Sequence, residues 1–341
     1  MPRALRIEYP GAHYHVMARG QRRDLIYRDD RDRGDFLELL GKASQRYGWE
    51  VLGYVLMGNH YHLLLETQEP NLSVGMHWLQ TSFGTRHRLR HGLSGSVFGG
   101  RYKALLIERD GRHLGTVLEY IHLNPWRAGL VTLAEGLESN RWSSLCGYVA
   151  PPKKRSSWLA AAKGLTWLDF PDTAAGRRRY LKTLEERTAG GTRLSDEARA
   201  LETDWKTQLR RGWYFGGQEF QEAMLKRASK QLKESGDPRG VIAGVRKDIS
   251  ASGALQLVEK ACDCWGMKLD ELRARAKGDG QKVLLAWVVR ERYAVSLGWL
   301  SETLKLGVAA AACRLLSRIK DTSLLSKQEK QWLNQLNKIS I

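Results

Sequence analysis

The chain has 341 residues, with 55 lysines and arginines against 37 aspartates and glutamates, a formal net charge of +18. This length allows two or three domains with a sizeable core. The charge favours a polyanionic partner, nucleic acid before an anionic membrane surface, although a basic surface kept for solubility is the alternative. Residues 151–341 contain 36 of the basic and 22 of the acidic residues. This part of the chain therefore supplies most of the electrostatic attraction to a polyanion.

The four cysteines argue against a disulfide framework. Only Cys262 and Cys264 are close, and no second pair completes the spacing of a zinc site. We therefore expect a reduced, cytoplasmic compartment. The N-terminus lacks an apolar signal core, and no apolar run approaches the roughly 18 residues of a membrane span.

The first 150 residues alternate strand and helix patterns. AHYHVMARG (12–20) alternates like a strand, and RDRGDFLELLGKASQRYG (31–48) has helical apolar spacing with Gly48 as its stop. WEVLGYVLM (49–57) and HYHLLLET (60–67) favour strands and are separated only by Gly58-Asn59. A two-residue loop with glycine first predicts a hairpin with a type II′ turn.

Three further elements complete this region. Residues 71–92 predict a helix with a basic end, residues 101–109 a strand, and residues 111–124 a helix that Pro125 ends. The alternation predicts an α+β fold for residues 1–150, an antiparallel sheet with helices packed on it.

The chain changes character after Tyr148. VAPPKKRSS (149–157) is typical of a linker. The remaining residues have mostly helical patterns, and we divide them into a basic helical region (151–245) and a helical C-terminal domain (246–341). RGWYFGGQEF (211–220) predicts a corner between helices, packed by Trp213 and Phe215.

A helix-turn-helix is predicted in residues 296–320. A helix over about 297–305, a turn at Gly307 and a second helix fit that motif, and a plain helical hairpin is the alternative. The start of the second helix lacks residues that read bases. Arg314 and Arg318 near its end predict binding to the DNA backbone.

His60 and His62 are candidate metal ligands. In a strand they share one face, about 7 Å apart along the chain, while Tyr61 takes the other face. His13 and His15 have the same spacing and are interpreted as structural, so spacing alone does not decide.

A second group lies in the helix over 111–124. Its apolar stripe places Tyr120 and Asn124 together on one flank, one turn apart. A tyrosine, a nearby carboxamide and a histidine pair in a basic protein fit phenolate attack on a phosphodiester, with a divalent ion polarising the phosphate. Packing of Tyr120 at the edge of the core is the alternative.

These motifs together resemble a known family. YVLMGNHYHLLLE, SVFGGRYKALLIERD and YIHLNPWRAGLV, in this order, are similar to the REP-associated tyrosine transposases, which belong to the single-strand transposases with a His-hydrophobic-His motif. The resemblance spans roughly residues 5–150, and it implies an HUH endonuclease-like fold with a ferredoxin-like core.

The resemblance also implies roles. His60, His62 and Asn124 would bind a divalent ion, magnesium or manganese, and Tyr120 would form a covalent 5′-phosphotyrosine. Two imidazoles and a carboxamide suit such an ion less well than carboxylates do, so we expect weak binding completed by DNA phosphate. Gly58 departs from the family, where proline is common.

The implied substrate is single-stranded DNA with palindromic hairpins, acted on by a monomer or homodimer without a membrane partner. Arg19, Arg101 and Lys103 are candidate DNA contacts at the front, and a surface ion pair is the alternative for each. Two other functions stay open: a rolling-circle nickase or relaxase-like initiator, and a non-catalytic regulator that binds palindromes.

Overall fold

The computed structural model describes residues 6–189, 196–235, 243–293, 295–319 and 325–339. The chain divides into two compact units, one over Arg6–Met224 and a second that begins at Leu225. The three-part division at residues 150 and 245 stays a prediction.

The first unit contains a mixed sheet of five strands in the order β2-β3-β1-β4-β5. The strands are β1 Ala12–Arg19, β2 Trp49–Leu56, β3 His60–Thr67, β4 Lys103–Ile107 and β5 Tyr214–Phe215. Strands β1 to β4 pair antiparallel, and β5 runs parallel to β4. The first four strands, with one helix after β1 and one after β3, have the order of a ferredoxin-like core. The predicted α+β fold is confirmed.

Among the described residues, eight α-helices begin in this unit. They are α1 Asp30–Tyr47, α2 Leu72–His91, α3 Gly111–Arg127, α4 Leu145–Val149, α5 Ala161–Trp167, α6 Ala174–Thr188, α7 Asp196–Arg211 and α8 Gln218–Ser235. Local sequence explains the long ones. Asp29 caps α1 by accepting a hydrogen bond from the Asp32 amide, and Gly48 ends it with φ of 66°. Asp110 caps α3 in the same way.

The two sheet faces are covered by different helices. Tyr61 of β3 packs on Phe36 of α1 and accepts a hydrogen bond from Gln80 of α2, so these helices cover one face. His62, the next residue, contacts Tyr120 of α3 on the other face. We call this second face the histidine face.

Three details differ from the predictions. Helix α3 continues through Pro125 to Arg127, because a proline in the last turn disturbs few helical hydrogen bonds. Neither Gly58 nor Asn59 has a positive φ, so the hairpin turn is not type II′. The segment before α1 stabilises the hairpin turn, because the Ile26 amide donates a hydrogen bond to the Gly58 carbonyl.

The segment over 211–220 is the third difference. Trp213 and Phe215 are buried as predicted, but the segment contributes the short strand β5. The Leu106 amide donates to the Trp213 carbonyl, and the Glu108 amide donates to the Phe215 carbonyl. A two-residue strand that depends on a partner more than 100 residues away has no local pattern to predict it.

The second unit is helical in its described residues. Its helices are α9 Ala243–Cys264, α10 Leu269–Ala274, α11 Gly280–Arg292, α12 Leu297–Leu304, α13 Ala309–Leu316 and α14 Lys327–Lys338. They share one apolar core around the buried residues of α9 and α11. Helices α12 and α13 flank a turn with left-handed Lys305 (φ of 53°) and Gly307 (φ of 93°), as predicted for the hairpin. Its role as a helix-turn-helix stays a prediction.

All four cysteines are free, as expected. Among the described residues, no helix combines the length and apolarity needed to cross a membrane.

Candidate active site

The histidine face gathers four of the predicted site residues. Met17 of β1 pairs with His62 on one side and with Lys103 on the other, and Arg19 pairs with His60. Cross-strand partners point to the same face. His60, His62, Arg19 and Lys103 therefore occupy two adjacent rows at one end of the sheet.

Hydrogen bonds around His60 fix which nitrogen is available. The Asn59 amide nitrogen donates to the Arg23 carbonyl at 3.0 Å, so the Asn59 side-chain oxygen faces His60 and lies 2.7 Å from its Nδ1. An amide oxygen only accepts, so Nδ1 of His60 carries the proton. Nε2 of His60 is left with a lone pair, as a metal ligand requires.

His62 has a partner that the sequence did not reveal. Its Nδ1 lies 2.9 Å from Nε2 of His15, and the two rings are stacked. This contact leaves Nε2 of His62 available. Burial lowers the pKa of His15 to about 3 and, with His15 and His60 nearby, lowers the pKa of His62 well below its usual value. Both rings are thus neutral at pH 7.

Tyr120 lies beside these rings. Its ring centroid is 5.5 Å from that of His62, and its hydroxyl shares a hydrogen bond with the side chain of Asn124. Burial raises the pKa of Tyr120, whereas the Asn124 hydrogen bond and the charges of Arg127 and Arg19 lower it. Burial therefore favours the neutral phenol of Tyr120, whereas the polar and charged groups around it favour the phenolate.

Helix α7 packs over this group. Trp205 is 1% exposed and contacts both Tyr120 and His15, with centroids 5.5 Å and 5.0 Å apart. Lys103 donates to the Leu209 carbonyl at 2.8 Å, and Arg127 pairs with Glu202. Two cations near the tyrosine thus have partners within the protein.

A cleft opens beside Tyr120, between α3, α7 and the segment around Trp167. Its volume is about 1320 Å³. Arg112, Arg127 and Arg187 line it together with six carboxylates, among them Glu119 and Glu202. Burial raises the pKa of Glu119 to about 7, and Arg187 is its ion-pair partner.

The other predicted DNA contacts lie elsewhere. Arg101 is exposed just before β4, and it is outside the paired strand. Arg314 in α13 and Arg318 just after it are exposed in the second unit. Their binding to DNA stays a prediction.

His60 and His62 fit a divalent ion, because Nε2 of His60 has a lone pair and Nε2 of His62, on the same face, is not used in the contact with His15. Two other groups of metal-ligating side chains occur among the described residues, Asp32 with His87 and His91, and Glu108 with Asp110 and His113. Neither group is predicted from the sequence. The spacing of His87 and His91, four residues apart on a helix, was the available signal.

Comparisons with known proteins agree with the resemblance. Residues 8–124 match the family model described as "Transposase IS200 like", a range that includes both histidines, Tyr120 and Asn124. One solved structure, "Structure of the REP associates tyrosine transposase bound to a REP hairpin", is 17% identical with a TM-score of 0.38, and the match covers 45% of this chain and 87% of that one. No curated protein matches. The match over residues 8–124 therefore indicates a DNA-processing enzyme that is similar to the IS200-like transposases in this part of the chain.

Proposed function

We propose that the chain cleaves and rejoins single-stranded DNA at palindromic, REP-like hairpins through a covalent 5′-phosphotyrosine on Tyr120, as in DNA transposition. The observation that supports this most is the meeting of His60, His62 and Tyr120 on the histidine face. The tyrosine and the carboxamide of α3, with the two imidazoles of β3, would supply a nucleophile and metal ligands to one site.

The metal ligands would be His60 and His62 through Nε2, with the side-chain oxygen of Asn124 as the third. The ion, magnesium or manganese, would polarise the scissile phosphate. Asn124 can serve both groups, because its amide nitrogen can hydrogen-bond Tyr120 while its oxygen stays available.

The chemistry of Tyr120 is a reversible exchange. Its phenolate oxygen forms a bond to the phosphorus and the bond from phosphorus to the 3′ oxygen breaks, so the 3′ oxygen takes up a proton and leaves as a hydroxyl. Rejoining reverses these changes, with a 3′-hydroxyl displacing the tyrosine. The partial burial of Tyr120 shields the intermediate from water.

The basic residues would hold the strand. Arg19 is the best placed, since its charge already acts on His60, His62 and Tyr120. Lys103 would exchange the Leu209 carbonyl for phosphate. Arg101, and Arg314 and Arg318 of the second unit, would bind flanking backbone. We place the protein in the cytoplasm, on nucleoid DNA, as a monomer or homodimer.

The test is a covalent-adduct assay. The full chain is incubated with labelled hairpin oligonucleotides in manganese or in EDTA and run on a denaturing gel. We expect a metal-dependent shifted band that disappears in Tyr120→Phe and His62→Ala. Tyr47→Phe, on α1 across the sheet, is the matched control and should keep the band.

Other outcomes would change the proposal. Tight hairpin binding by the wild type without any adduct would favour the palindrome-binding regulator. An adduct that forms equally on strands without a palindrome would favour a nickase of the rolling-circle type.

A further inference from the structure

A second group of metal-ligating side chains lies across the sheet from Tyr120. Asp32 belongs to the first turn of α1, and His87 and His91 belong to the last turns of α2. The histidines are four residues apart, so both project from one side of the helix. The group therefore joins the beginning of one helix to the end of the other.

The ligand atoms converge. Nε2 of His91 lies 3.0 Å from both carboxylate oxygens of Asp32, and Nε2 of His87 lies 3.7 Å from Oδ2. All three donor atoms lie within 4.8 Å of one another. With ligand bonds of about 2.0–2.2 Å, tetrahedral coordination of zinc spaces its donors by roughly 3.3–3.5 Å. Small side-chain movements would reach that spacing.

The surroundings of His87 give the strongest indication that this group binds a ligand. Its side chain is 2% exposed, and neither ring nitrogen has a hydrogen-bond partner among the described residues. Buried polar atoms are nearly always satisfied. A hydrogen-bonded cluster explains Asp32 and His91, but it leaves His87 without a role.

The two carboxylate oxygens of Asp32 accept hydrogen bonds from different residues. Oδ1 accepts a hydrogen bond from Arg90 at 2.8 Å, and Oδ2 accepts one from the Arg28 amide at 2.8 Å. Oδ2 keeps a second lone pair, directed to the same region as the histidines. Arg90 also pairs with Asp29, so Asp29, Asp32 and Arg90 together carry one negative charge without an ion. Asp32 would be the metal ligand, and Arg90 would orient it through their hydrogen bond. Such partners of metal ligands are common around metal sites.

We propose that Asp32, His87 and His91 bind a zinc-type divalent cation at a site distinct from His60 and His62. Two imidazoles and one carboxylate are ligands that zinc favours, whereas magnesium and manganese prefer oxygen. Water would complete the coordination from the side of His91, whose side chain is 14% exposed. The bound ion would lock α1 to α2.

The test uses the full chain carrying His60→Ala and His62→Ala, which removes the other site. The protein is stripped with EDTA, titrated with Zn²⁺ alone, and its metal content is measured after gel filtration. We expect one Zn²⁺ per chain and a higher melting temperature with Zn²⁺. Adding His91→Ala should weaken zinc binding by more than the roughly 10–100-fold that losing an outer partner costs. His77→Ala, on the exposed side of the same helix, should change nothing.

Two results would overturn the site: no zinc in the starting variant, or the same zinc affinity after both His91→Ala and Asp32→Asn. His91 is partly exposed, so its replacement should leave the fold intact. Melting curves in EDTA check this, and Asp32→Asn repeats the test with a carboxamide of the same shape. Zinc is measured in a chain that already lacks His60 and His62 and cleaves no DNA in this assay, so the result is independent of the proposed cleavage reaction.

Discussion

The contact between His15 and His62 predicts that His15 positions a metal ligand without touching the ion. If His62 binds through Nε2, its Nδ1–H donates to Nε2 of His15 across 2.9 Å. Phenylalanine at position 15 would keep a stacked ring and remove the acceptor. Nδ1 of His62 would then be buried without a partner, because His62 is only 5% exposed.

The expected loss of metal affinity follows from the cost of removing the hydrogen-bond partner of a metal-bound histidine. Losing the outer partner of a metal-bound histidine costs about 10–100-fold in metal affinity, or about 1.4–2.7 kcal/mol. In His15→Phe we therefore expect the manganese concentration for half-maximal adduct formation to rise by about that factor. At saturating manganese, the adduct yield should return close to that of the wild type.

The assay is a manganese titration of the covalent adduct, with circular dichroism to confirm the fold. His15→Gln is the matched variant, because its amide can place a hydrogen-bonding group where Nε2 lies, and it should recover much of the affinity. An unchanged manganese dependence in His15→Phe would refute the positioning role. A loss of adduct that no manganese concentration restores would show that His15 acts in some other way.

Three further predictions concern stability. Burial lowers the pKa of His15 and of His122 to about 3. Because the unfolded chain binds these protons near pH 6.5, the free energy of unfolding is highest above that pH and falls as the pH is lowered towards 3. At pH 5 the loss is about 2 kcal/mol per histidine. Urea unfolding between pH 7.5 and 5 measures this, and a flat profile would contradict it. Trp205→Ala should cost about 3–5 kcal/mol of unfolding free energy, and a loss below about 1 kcal/mol would contradict the packing of α7 on the site. Arg187→Ala should cost about 1–3 kcal/mol because it leaves Glu119 buried without its partner, and adding Glu119→Gln should restore part of it; equal stability of all three proteins would argue against the pair.

Much of the first unit could be predicted from the sequence because its signals are local. Alternation indicates β1, apolar runs of strand-favouring residues indicate β2 and β3, and Gly48 marks the end of α1. The spacing of His60 and His62 needs only the geometry of one strand. The one-turn separation of Tyr120 and Asn124 needs only the geometry of one helix.

The remainder depends on contacts between distant parts of the chain. His15 was interpreted as structural, because its contact with His62 depends on how β1 and β3 align. Trp205 lies 85 residues from Tyr120 in sequence, and no local pattern places α7 over the tyrosine. The site of Asp32, His87 and His91 requires two helices to pack before its ligands meet.

Mass spectrometry of the trapped adduct is the most direct test of Tyr120 as the nucleophile. After digestion with protease and nuclease, we predict a nucleotide joined through its 5′-phosphate to the peptide that contains Tyr120, formed with manganese and absent in EDTA. The same modification on Tyr102 or Tyr148, or an adduct that persists in Tyr120→Phe, would contradict this assignment.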